Sequence, residues 1–199
     1  QRQRFPYMLI DHQGLGDYHH SIGAENFQGA YTATRYLIEL NHRRIGFITG
    51  TPELGCSVER LAGYKAALTE FGIPIDPALI YEGDFQQPQG FEGTLTLLAL
   101  PDPPTAIFAS NDEMALGVME AARVRGLRLP EDLSVIGFDD ITQAAQVHPT
   151  LTTIHQPLEQ MGRLAAETLL KLINDPTFVV ERIVLPTHLV IRQSCSART

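Results

Sequence analysis

One feature limits the folds open to this 199-residue chain more than any other. Short, unbroken apolar runs alternate with longer stretches whose apolar residues recur every three or four positions. The runs include "YMLI" (Tyr7 to Ile10), "RIGFITG", "ALIYEGDF", "TAIFAS", "LSVIGF", "LTTIH", "ERIVLP" and "HLVIRQ". A strand without a polar side must be covered on both faces, which is the habit of parallel sheets. Between the runs lie helical stripes. Ala30, Ala33, Leu37 and Leu40 share one face. Leu61, Leu68 and Phe71 share another, which Gly72 and Pro74 stop. "FEGTLTLLAL" and "DEMALGVMEAARVRG" read as helices, the second closed by Gly126. Leu158, Met161, Ala165, Leu169 and Leu172 stripe a long last one. The expected class is α/β with parallel sheets.

Such sheets bind ligands beyond the carboxyl ends of their strands. Four strand-to-helix junctions end there in side chains suited to a small polar solute: Arg60, Phe85, the pair Asn111–Asp112 and the pair Asp139–Asp140. Converging, they would line one crevice, as in a small-molecule receptor. Each has a plainer alternative. Arg60 could be a surface arginine in an ion pair, and Phe85 a core residue. Asp112 suits a helix cap, and Asp140 a cap or turn.

Composition narrows the function. An apolar share of 44% is enough for a real core, and the net charge of −8 argues against this chain gripping DNA by itself. Two distant cysteines, Cys56 and Cys195, fit a reducing compartment without a disulfide framework. No segment approaches the ~18 consecutive apolar residues of a membrane span. The start "QRQRFPYMLID" has no signal-peptide pattern, so the cytoplasm is the expected location. His12, His19, His20 and His155 match no metal spacing, and no metal or cofactor is expected. "GLGD" lacks the glycines of a dinucleotide fingerprint, and there is no G-x-S-x-G elbow or P-loop, so no enzyme is expected. The helices and strands divide unevenly. Residues 42–155 with 184–199 make one full lobe. Residues 1–41 with 156–183 make a second that is short of elements at its N-terminal side.

The motifs "ENFQGAYTATRYLIELNHRRIGFITG", "SVERLAGYKAAL", "FASNDEMALG", "LSVIGFDD", "HPTLTTIHQPLEQMGRLAAETLL" and "LVIRQS" together resemble the LacI/GalR transcriptional regulators, in order and over essentially the whole chain. The resemblance implies two Rossmann-like lobes of the type I periplasmic-binding-protein kind, with an effector held between them. It implies a homodimer, and operator DNA contacted only through a headpiece absent from these residues. By motif position it assigns Arg60, Phe85, Asn111, Asp139 and Gln156 to the effector. Glu25 stands where the family usually has aspartate, one methylene longer. The apolar or small residues from Leu54 to Cys56 favour a carbohydrate over a purine. The competing expectation on this fold is an extracytoplasmic sugar-binding protein of an ABC transporter, which would need a secretory signal.

Overall fold

The structure is a computed structural model describing residues 5–11, 20–175 and 177–198. Two sheets organise it. Strands β1 (Leu9–Ile10), β2 (Ser21–Ala24) and β8 (Ile183–Leu185) form a small parallel sheet in the order β1-β2-β8. The larger sheet holds β3 (Ile45–Ile48), β4 (Ile80–Tyr81), β5 (Ala106–Ala109), β6 (Ser134–Asp139), β7 (Thr152–His155) and β9 (His188–Val190). Its order is β4-β3-β5-β6-β7-β9, parallel except for β9. All four residues of β3 and of β5 are buried, as their unbroken apolar runs require.

Helices α1 (Asn26–Glu39) and α2 (Gly55–Glu70) cover one face of the large sheet. Ala30, Ala33, Leu37 and Tyr64 pack there on Phe47, Phe108 and Phe138. Phe47 stacks on Tyr64 at 4.8 Å and meets Phe108 edge-on at 5.0 Å. Helices α3 (Gln87–Leu98) and α4 (Asp112–Val124) cover the other face, where Met114, Ala115, Val118 and Leu97 meet Ile107, Val135 and Ile48. Glycines bring each helix pair together. A Cβ on Gly63 would collide with the Phe27 carbonyl of α1, and one on Gly90 with the Met114 carbonyl of α4. The small sheet packs on α5 (Leu158–Asn174) through Ile22, Ala24, Leu185, Met161 and Ala165. No described helix is long and apolar enough to cross a membrane.

Two expected boundaries move. The chain leaves the small sheet after β2, at Glu25, and not at residue 41, because the apolar face of α1 meets the large sheet. It makes its last crossing between β8 and β9, not after residue 183, because Ile183–Leu185 pairs with β2. The middle crossing falls at Gln156 and Pro157, between β7 and α5.

Candidate functional site

The parallel register of β3, β5 and β6 brings their carboxyl ends to one edge. A cleft of about 330 Å³ opens there. The large sheet supplies Arg60, Phe85, Asn111 and Asp139, joined by Thr51, Asp84 and Gln86, with Leu54 and Cys56 as the less polar part. The small sheet supplies Asp11, one residue beyond β1. The cleft is therefore walled from both sheets.

Arg60 is 2% exposed and held from several sides. Its Nε donates to Asn26 Oδ1 at 2.9 Å, and its Nη1 donates to the Ser110 carbonyl at 2.5 Å. Asp139 Oδ1 lies 3.6 Å from Nη1. The guanidinium carbon sits 3.7 Å from the centre of the Phe138 ring and 5.9 Å from that of Phe85. This cage fixes the plane of the guanidinium, and a fixed planar donor is suited to bracketing two hydroxyls. Burial pushes the Asp139 carboxyl above its ordinary pKa, against the pull of Arg60 and of a hydrogen bond from Gln156. Gln156 stands behind Asp139, donating from Nε2 to Oδ1 at 2.6 Å. It braces that carboxylate and is not in the lining.

The backbone is strained around the cleft. Asp11, Phe85, Asp139 and Asp140 have φ of 48°, 70°, 117° and 62°, a region that favours glycine. Asn41 is the remaining described non-glycine residue with positive φ. Such residues gather where a function holds them in place. Room for the Phe85 ring comes from Gly50, where a Cβ would overlap it.

Asn111 and Asp112 take roles opposite to a simple contact-and-cap division. Asn111 lines the cleft, yet it also caps α4, accepting from Met114 N at 3.0 Å, and its Nδ2 donates to the Phe85 carbonyl at 3.0 Å. Asp112 is fully buried beneath the β6 turn. It accepts from Ile141 N at 2.9 Å and shares a 2.5 Å hydrogen bond with the Thr153 hydroxyl. Burial raises its pKa to about 7, although both hydrogen bonds oppose the rise. Asp140 pairs with Arg192 Nη2 at 2.6 Å and His155 Nδ1 at 2.9 Å. Burial works against its ionisation, but these two partners together hold its pKa below the ordinary value.

Glu25 does not join the site. Its side chain is exposed at the start of α1, where it makes no cap, and the next residue, Asn26, is the one that reaches Arg60. Sequence reasoning also passed over Asp11, Asp84, Thr51, Gln86 and the Phe138 ring beneath Arg60. Asp11 and Asp84 follow β1 and β4 just as Asp139 ends β6, so the strand-end rule could have found them. Among the described residues no cluster of His, Cys, Asp and Glu could hold a metal. His12 and His19 lie outside the described residues. His20 packs against the Tyr7 ring at 5.5 Å, and His155 is engaged by Asp140.

Residues 34–195 match the periplasmic binding protein-like domain family. A LacI family transcriptional regulator from Enterococcus faecium, solved with bound ribose, is 30% identical. This chain covers 72% of it, 98% of this chain is covered, and the TM-score is 0.86. The chain belongs to the LacI family. The regulator CelR, solved as a cellobiose complex, is 40% identical over 87% of this LacI-family chain and 53% of its own, with a TM-score of 0.83. The ribose operon repressor of Haemophilus influenzae is 42% identical over 166 residues, 83% of this chain and 50% of its own. The chain spans about half the length of the curated relatives it matches.

Proposed function

We propose that this chain is the ligand-sensing core of a LacI-type transcriptional repressor, and that its cleft takes a small carbohydrate or derivative. One observation carries the reading: Arg60 and Asp139 from the large sheet and Asp11 from the small one share a single cavity. A hydroxyl-rich ring could lie against Phe85 while the guanidinium and carboxylates hydrogen-bond its edge. Because the cavity has a wall from each sheet, a ligand bound in it prefers one relative placement of the sheets. That differential affinity is what shifts a two-state population. A full shift needs about 5.5 kcal/mol, and two or three charge-assisted hydrogen bonds at roughly 1.5–3 kcal/mol each are of that order.

The proposal includes a homodimer in the cytoplasm, with operator DNA contacted through a headpiece outside these residues and no catalytic step. Relatives named as repressors favour it over a transport protein of the same fold. Analytical ultracentrifugation checks the dimer. The decisive experiment is calorimetric titration of a panel including ribose and cellobiose, followed by the leading binder on Asp139→Ala. Binding is expected to fall at least about tenfold while the far-ultraviolet spectrum is kept. Undiminished affinity in that variant would remove the site.

A further inference from the structure

We propose that Glu59 and Arg182, neither of which lines the cleft, position the cleft arginine by latching the small sheet to the large one. The inference rests on the ligand-sensing reading of the cleft. Four side chains stand in series. Arg182 immediately precedes β8 of the small sheet, and its Nη2 lies 3.6 Å from Oε1 of Glu59 on α2. The other carboxylate oxygen of Glu59 accepts from Asn26 Nδ2 at 3.1 Å. The other end of the Asn26 amide, Oδ1, accepts from Arg60 Nε at 2.9 Å. At each of the two middle residues, the incoming and outgoing contacts use different atoms of one rigid planar group. A rotation forced at one end is therefore passed to the other.

Position along the series explains why an exposed ion pair can matter to a buried residue. The Arg182 and Glu59 side chains are 45% and 40% exposed, so as an isolated pair they would contribute little. Asn26, by contrast, is 6% exposed and Arg60 2%. Glu59 and Arg60 are neighbours in α2, and a step of one residue turns a helix by about 100°. One therefore faces the joint between the sheets while the other faces the cleft. Asn26 begins α1 just where the chain leaves the small sheet, and its Nδ2 also donates to the Ala24 carbonyl at 3.3 Å. Releasing Glu59 from Arg182 frees the carboxylate to leave Asn26. The amide can then turn, and Arg60 loses the acceptor that fixes its plane. Coupling of this sort is reciprocal, so a ligand that immobilises Arg60 tightens the latch by the same factor.

The test needs no ligand. The 199-residue chain is labelled with ¹⁵N, and solvent exchange of the Arg60 Nε–H is followed by NMR in the parent, Arg182→Gln, Glu59→Gln, the double variant and Arg182→Lys. Exchange is expected to quicken about two- to fivefold in each glutamine variant, the range of an exposed ion pair. The double variant should be no faster than the single ones, and Arg182→Lys should stay near the parent. Backbone amides of α3 and α4 should hold their rates throughout. An Arg60 signal unmoved by Arg182→Gln overturns the latch. So does a quickening shared equally by α3 and α4, which would mean a general loss of stability. Neither result bears on the Asp139→Ala titration, so the latch and the effector site can fail separately.

Discussion

Asp112 is the residue whose chemistry most exceeds its place in the sequence. Buried under the turn that carries Asp139, it has a pKa raised from 3.8 to about 7. A carboxyl raised on folding adds stability that is complete below its unfolded pKa and is lost as pH climbs to the folded value. Stability should thus decline by roughly 1.4 kcal/mol per pH unit within that window, as far as this group alone decides it. Asp112→Asn keeps an acceptor for Ile141 N and turns a donor to Thr153. Urea unfolding of this variant between about pH 5 and about pH 7 should show a flatter profile than the parent. Parallel profiles would mean that Asp112 stays ionised in the fold. His42 contributes the opposite slope. It is buried between Thr105, Ser134 and the Ser196 carbonyl, and burial lowers its pKa, so its share of stability is lost as pH falls below 6.5. Sequence could not reveal either role. Asn111 and Asp112 are both good caps, and only the path of β6 and β7 above α4 decides which of them goes inward.

At the scale of elements, the helix pairs are held by contact too close for side chains. Gly63 meets the backbone of α1 at Phe27, and Gly90 that of α4 at Met114. Gly63→Ala has no flexible neighbour to displace, so α1 and α2 must separate. It should destabilise the protein by about 1–3 kcal/mol, despite alanine's better helix propensity. Thermal unfolding followed by circular dichroism checks this, and an unchanged or raised midpoint would mean that the helices slide apart freely. The strands were legible in the sequence because full burial leaves an unbroken apolar run. The stripe of α1 was legible too, but not its destination. Ala30, Ala33 and Leu37 announce a buried face without saying which sheet buries it, and so residue 41 looked like a boundary that the structure moves to Glu25. Glu25 itself shows the same limit. A motif locates a site to within a residue, whereas the turn into α1 decides that Asn26 points inward.

Over the whole molecule the cover is unequal. The large sheet has two helices on each face, while the small one rests on α5 through a short list of apolar residues, with Val184 44% exposed. Local opening is cheapest where few apolar groups are buried. Calorimetry of these 199 residues should show a low-temperature shoulder from the small sheet ahead of the main peak, and hydrogen exchange should place it in β2, β8 and α5. A single peak whose calorimetric and van't Hoff enthalpies agree would contradict this. Among the described residues few elements surround the small sheet, and that imbalance was countable in the sequence. That Asp11 reaches into the cleft from there was not, since the pairing of β1 with β2 depends on contacts far along the chain.

The placing of Asp11 gives warmth a particular victim. Once the weaker layer loosens, the cavity loses a wall while four helices and six strands still stand behind it. A sample kept at such a temperature would keep most of its secondary structure, yet the cleft would be open on the side of Asp11 and could no longer enclose a solute.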